Sequence, residues 1–380
     1  MMALVFTVLP PVLPIISEHF GGGSQGRFVA QMIMTMPSLG LIAGGLASGW
    51  LVDRWGARGV LFTALIAFAA FGSAGLYLDD VTSLLASRFG VGFASTSITT
   101  AAAWLLGATY DTETRARLLG YRAALGSVGG VISLLLAGPV AEAGGWRIPF
   151  SFYLVSLVIF GVALFCIPGR RDLAPVPPSA IAAGSPLALW PLYVLTVAMS
   201  IILIASATQL SFLLAEEGIV RPSTQSWVIG AGSAASMAIS GFYGAIRLRL
   251  GVRNTFVLLM VLMGLGNVAI GFAHSPGVAA FGAAVAGLGS GIALPYLCTL
   301  VLDQTTPEIR GRALGLLYSS MFFGDFLNPI VFQGLIPFLG IHGVFVVLGG
   351  IVAASGVLAQ WTRQPWTREV GRAVTPEPGV

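Results

Sequence analysis

The chain contains no lysine: all 19 of its basic residues are arginine. A Walker-type phosphate loop needs a lysine on the nucleotide, and Schiff-base catalysis needs a lysine amine, so both are excluded. Charge of either sign is scarce. Only 9% of the 380 residues are charged, against about 25% in a soluble domain whose surface must meet water. The two cysteines, Cys166 and Cys298, lie far apart inside apolar runs. They have no metal-binding spacing and read as small packing residues. Three histidines, His19, His274 and His342, sit at the edges of apolar runs, where ordinary interfacial placement explains them better than pH sensing. There is no H-E-x-x-H, no Cys–His pair and no G-x-S-x-G at a strand-to-helix turn. No cofactor or metal is therefore expected, and no enzymatic constellation is visible. The net charge of +4 is no nucleic-acid signature, because loop arginines account for it.

What is present is apolar. Hydrophobic residues make up 56% of the chain, and its mean hydropathy is +0.90. So few charges cannot cover a water-facing surface, so most of the exterior must face lipid. At roughly 20 residues per crossing, this length holds about twelve spans. The runs are continuous rather than alternating, which selects helices over a closed barrel. Fifty glycines suit helix packing in lipid, where close backbone approach replaces the hydrophobic drive.

Apolar runs bounded by charge, glycine or proline place the spans near 2–18, 28–52, 58–78, 81–106, 118–141, 147–168, 187–214, 225–247, 253–273, 276–302, 312–337 and 341–361. The first run, Met2 to Ile16, has no charged n-region and no small-residue exit, and reads as a retained helix. A polar stretch rich in Pro, Ala and Ser divides the chain. The expected organisation is an N-terminal six-helix bundle (1–168), a linker (169–186), a C-terminal six-helix bundle (187–361) and a polar tail (362–380). With an even number of spans both termini share a side. Fifteen arginines fall on that side, three (Arg27, Arg147 and Arg221) on the other, and Arg88 lies within a span. The positive-inside rule then makes both termini cytoplasmic, in a bacterial-type inner membrane.

The halves repeat. Gly49-Trp50-Leu51-Val52-Asp53-Arg54-Trp55-Gly56-Ala57-Arg58 aligns with Gly244 to Arg253 at an offset of 244 − 49 = 195. Arg115 to Gly120 aligns with Arg310 to Gly315, and Gly145 and Phe150 with Gly340 and Phe345, at the same offset. An even number of spans per half gives both copies one orientation, a parallel repeat about the membrane normal.

These residues resemble the major facilitator superfamily over essentially the whole chain. The strongest element is G-x-L-x-D-R-x-G-x-R at Gly49 to Arg58, between spans two and three. The second is Arg310-Gly-Arg-Ala-Leu-Gly315 entering span eleven, and the third is Arg88 in span four, followed by Gly90 and Gly92. The resemblance implies an all-α fold of two pseudo-symmetric six-helix halves. It also implies a secondary transporter of a small solute, in a drug–proton antiporter-like or organic-anion porter-like branch. It implies that Gly49, Asp53, Arg54, Gly56 and Arg58, with Arg310 and Arg312, form a conformational latch that holds the outward-facing state. Leu248 stands where the second copy would carry Asp53, so a C-half latch is weaker or absent.

Ionisable residues at membrane depth are functional candidates by default. Asp325, in Phe322-Phe-Gly-Asp-Phe-Leu-Asn-Pro329 of span eleven, is read as a proton carrier, because low dielectric favours its neutral form. Asn328 is its polar neighbour, and Pro329 loosens the helix. Arg88 either tunes proton movement, holds an anionic solute, or binds backbone carbonyls structurally. Gln209 in span seven is a cavity hydrogen-bonding group or helix–helix glue, with Gln31, Tyr121, Tyr296 and Tyr318 as weaker candidates. Gly138-Pro139 is a partial match to the antiporter motif. Glu216 and Glu217 read as solvated. The expectation is a monomeric, proton-coupled carrier of a small organic solute working by alternating access, leaning to efflux. The alternative is uptake or exchange of a small organic anion on Arg88, and a transporter-like scaffold without flux is a further reading.

Overall fold

In the computed structural model, described here for residues 1–167, 186–306 and 309–360, the chain is built of helices, with no strand among the described residues. Ten helices are long and apolar enough to cross a membrane. The first half supplies α1 (Met2–His19), α2 (Gly23–Trp55), α3 (Ala57–Leu76), α4 (Val81–Thr109), α5 (Thr112–Gly144) and α6 (Ile148–Cys166). In the second half, α7 covers 187–216 and α8 begins at Pro222–Ser240, its serines keeping it out of the ten. It continues through 243–250 to Gly251 (φ 73°), where α9 starts and runs to Gly271. After α10 (Pro276–Asp303), a continuous helical stretch, Arg310–Leu358, is divided by Gly340 (φ 66°) into α11 and α12. Those two additions bring the ten to twelve crossings. The expected linker and tail lie outside the described residues.

The repeat extends into the backbone. Gly23, Gly56 and Gly145 have left-handed φ values, and so do Gly218, Gly251 and Gly340, each 195 positions later. At Gly56 and Gly251 the chain ends one helix and begins the next with no intervening loop, a reversal that a side chain would strain. The caps repeat as well: Asp80 accepts from Ser83 N–H (2.8 Å) at the start of α4, and Ser275 from Val278 N–H (3.4 Å) at the start of α10. Side-chain capping of an orphan amide fixes where each helix begins. Hydrogen bonds from Ser83 also hold the Asp80 carboxyl below its ordinary range.

Each half is held by an intimate crossing. A Cβ on Gly92 of α4 would fall on the carbonyl of Pro37 in α2, and one on Gly287 of α10 would fall on the carbonyl of Gly232 in α8. Positions 287 and 232 are the repeat counterparts of 92 and 37. Such backbone contact is the packing that lipid-embedded helices use in place of hydrophobic burial.

α1 and α7 are both broken. Pro10, Pro11 and Pro14 split α1 into Met2–Thr7, Pro10–Val12 and Leu13–His19, since proline removes an amide donor and crowds the preceding turn. α7 breaks at Ile204 and Gln209. Broken helices at membrane depth are tolerated where they face protein or a cavity, and both segments do.

Candidate functional site

The end of the bundle that carries Met1, Arg54, Arg117 and Arg310 is rich in arginine; the opposite end is termed the far end. Between the halves lies a cavity of about 420 Å³. Ala3 and Thr7 of α1 and Ser127, Gly130 and Val131 of α5 form one wall. Ser206 of α7, Ser233, Ser236 and Ser240 of α8, Asn267 of α9, and Ser290 and Pro295 of α10 form the other. Its lining includes no charged side chain. Hydroxyls and small residues alternate with aliphatic and methionine side chains such as Ile202, Ile229 and Met263. The sequence did not single out these serines, because a serine in an apolar run is equally a helix-packing residue.

The halves are joined at the far end. Arg27 of α2 pairs with Glu216 at the end of α7 (2.5 Å) and lies over the Phe212 ring (5.2 Å). Ser223 of α8 donates to Glu142 of α5 through its hydroxyl (2.6 Å) and its amide (3.0 Å). Ser211 donates to the Pro10 carbonyl (2.6 Å), and Gln333 to that of Ser24 (3.1 Å). Gly138, beside Pro139 of the partial antiporter motif, packs against the backbone of Pro222. Glu216 is thus an inter-half partner and not the merely solvated group expected from sequence.

At the arginine-rich end the latch residues stand apart. Asp53 is exposed and forms no ion pair with a described residue. Arg54 lies over its own helix's Trp50 (5.5 Å) and Arg58 over Phe62 (5.1 Å). Gly49, Gly56, Arg310 and Arg312 border the same end, with both arginines exposed. The C half, which lacks the acid at Leu248, closes its own α8–α10 corner by Arg247–Asp303 (2.5 Å).

Three sequence candidates meet in one buried chain of hydrogen bonds. Gln31 of α2 donates to Gln209 (2.8 Å), and Gln209 donates to Asn328 of α11 (3.0 Å). Thr208 also donates to the Asn328 carbonyl oxygen (2.7 Å), and the Asn328 amide donates to the Ile201 carbonyl (2.6 Å) in the α7 break. All four side chains are fully buried. Gln31 Oε1 has no hydrogen-bond partner among the described residues. The chain therefore links the halves and holds the kinked backbone of α7.

Asp325 lies one turn before Asn328, 7% exposed, with Ser200 of α7 beside it. No described basic residue pairs with it. An unneutralised carboxylate is costly in a buried, low-dielectric setting.

Arg88 is elsewhere. It is fully buried within the first half, donating to the carbonyls of Phe71 (3.1 Å) and Gly72 (2.8 Å). Its guanidinium lies 4.9 Å from the centroids of both the Phe150 and Tyr153 rings. The cavity lining does not include it. Of the readings left open by sequence, this geometry favours the structural one: Nη2 bonds both carbonyls and the cation faces two rings, while Nε and Nη1 have no partner among the described residues. Tyr121 and Tyr318 are surface-accessible, and Tyr296 is buried against Phe256 (5.8 Å).

Twelve membrane helices in two repeated halves around a central cavity define a membrane transporter fold. The Major Facilitator Superfamily model matches residues 1–217 and again 192–378, and the chain belongs to that family. It is 31% identical over 121 residues to the MFS efflux transporter aclA of Aspergillus oryzae, covering 32% of this chain and 22% of that protein. It is 27% identical over 140 residues to the niacin transporter NiaP of Acinetobacter baylyi, covering 37% and 32%. Identity to the multidrug efflux pump Tap of Mycolicibacterium fortuitum is 25% over 165 residues, covering 43% and 40%. The chain thus spans only a fifth to two fifths of these relatives' length. Among solved structures, a D-xylose–proton symporter aligns with TM-score 0.75 at 14% identity, covering 97% and 94%. The inward-open xylose transporter XylE from E. coli aligns with TM-score 0.71, also at 14%, covering 94% and 93%. At that identity the likeness is one of fold.

Proposed function

We propose that the protein is a proton-coupled secondary transporter of a small organic solute, working by alternating access in a cell inner membrane with its arginine-rich end in the cytoplasm. The observation that carries this reading is Asp325, a buried carboxylate without a basic partner, one turn from the hydrogen-bonded chain that crosses between the halves. Protonation keeps Asp325 neutral at depth, and rocking of the halves carries it from one aqueous face to the other. The solute occupies the cavity between α1, α5, α7, α8 and α10.

The conformation is inward-facing on this reading. The far end is closed by Arg27–Glu216 and its neighbours, while Asp53, Arg54, Arg58, Arg310 and Arg312 are the parts of a latch that engages when the arginine-rich end closes. An uncharged, hydroxyl-lined cavity favours neutral or weakly amphipathic solutes, and with them efflux. Uptake of an anion on Arg88 loses support, since that arginine is bound to carbonyls and rings away from the cavity.

The test is charge movement on a solid-supported membrane with proteoliposomes of the wild type and Asp325→Asn. The solute panel spans nicotinate, 4-hydroxybenzoate, pentoses and cationic amphiphiles, with and without a pH gradient. Currents that depend on pH and vanish in the variant support proton coupling. Currents unchanged in the variant would remove Asp325 from the mechanism.

A further inference from the structure

At the far rim of the second half, three side chains from separate segments converge. Glu217 follows α7, His274 precedes α10, and His342 lies in the first turn of α12. Glu217 Oε1 is 3.0 Å from His274 Nδ1 and 3.1 Å from His342 Nε2. All three donor atoms lie within 4.8 Å of one another. The two imidazoles are stacked, with centroids 5.4 Å apart and planes at 25°.

The decisive contact is on the other side of the His342 ring. Its Nδ1 is 2.9 Å from the Gly271 carbonyl oxygen, an atom that only accepts, so Nδ1 carries the proton. In the neutral ring Nε2 is then a bare lone pair, and it points at a carboxylate oxygen. Two acceptors at that distance repel unless a cation lies between them. The repeat sharpens the point. Positions 274 and 342 correspond to Asp79 and Arg147 of the first half (274 − 79 = 342 − 147 = 195), which form an ion pair of their own. Where one half balances its rim with opposite charges, the other presents two imidazoles and a glutamate around a common point.

We propose that Glu217, His274 and His342 form a binding site for a divalent transition metal of the zinc type. Two imidazoles and a carboxylate are a zinc donor set, and tetrahedral bonds of roughly 2.0–2.1 Å put neighbouring donors about 3.3 Å apart, close to the two separations at Glu217. A zinc-bound imidazole ordinarily donates its second N–H to a carbonyl or carboxylate, which fixes its tautomer; the Gly271 carbonyl serves His342 in that role. His274 is 73% exposed, so the fourth position opens to water. The ion would tie the end of α7 to the α9–α10 turn and to α12, one residue from the Glu216–Arg27 bridge between the halves.

The test uses tag-free, full-length protein in nanodiscs, titrated with zinc against a fluorescent chelator and with cobalt followed by visible absorption. The expected result is one saturable zinc per chain in the micromolar range or tighter, with cobalt bands typical of nitrogen and oxygen donors. Glu217→Gln, His274→Gln and His342→Gln each weaken binding by at least about 10- to 100-fold, the cost of losing even an outer-shell partner, while His19→Ala, the remaining histidine, leaves it unchanged. Monodispersity on gel filtration confirms that each variant is folded, and the exposed His274 is the position least able to disturb folding. Absence of saturable zinc binding would overturn the proposal in favour of a proton shared by the cluster. Wild-type zinc affinity in both His274→Gln and His342→Gln would overturn it too.

Discussion

Position 88 in the first half is a fully buried arginine, and its repeat counterpart, position 283, is an alanine; position 325 in the second half is a buried aspartate, and its counterpart, position 130, is a glycine. The frames around them are alike, down to left-handed glycines and helix caps at one offset. The difference teaches what each half is for. The first half uses its charge as mortar, an arginine clamped by two carbonyls and two rings. The second half keeps its carboxylate without a basic partner and places it beside a kinked helix and a hydrogen-bonded chain reaching the other half. A cation held against carbonyls and ring faces is fixed in place, whereas a carboxylate lacking a counter-ion can exchange its proton.

The comparison can be broken in order of expected effect. Asp325→Asn removes the proposed proton site, and pH-driven flux should vanish while solute counterflow persists, as read by isotope exchange in proteoliposomes. Arg88→Ala leaves the Phe71 and Gly72 carbonyls without their donor and a void between two rings, a loss of about 2–5 kcal/mol. Its signature is a lowered melting temperature in detergent and poor membrane accumulation. Arg88→Lys retains charge but not the planar guanidinium between two rings, so a smaller fall in stability is expected with flux per folded molecule preserved. Gln209→Leu cuts the chain between Gln31 and Asn328, and interhelical bonds of this type are worth about 0.6 kcal/mol each on average, up to about 1.7. Spin labels at the two ends should register that change as a shifted balance between conformations. Arg27→Gln opens an exposed ion pair worth about 0–1 kcal/mol, and should move the same spin-label distances least.

Much of the fold was legible because hydropathy, arginine asymmetry and a fixed repeat offset all report on the backbone. The breaks of α1 followed from its prolines only in hindsight, since the run read as one span. Gln209 and Asn328 were visible as polar residues in apolar segments, but not their mutual bond, because 119 residues separate them. The aromatic cage of Arg88 was hidden for the same reason: Phe150 and Tyr153 reach it from another helix. Glu217, His274 and His342 each looked ordinary alone. A cluster assembled from three helix ends has no sequence signature.

The most direct test of the central claim compares proton-driven flux in Asp325→Asn and Arg88→Lys side by side, normalised to folded protein in the same proteoliposomes. The account predicts that the aspartate variant loses the pH-driven component entirely and keeps counterflow, while the arginine variant retains both. Proton-driven flux surviving in Asp325→Asn, or lost from a fully folded Arg88→Lys, would contradict the division of labour between the halves.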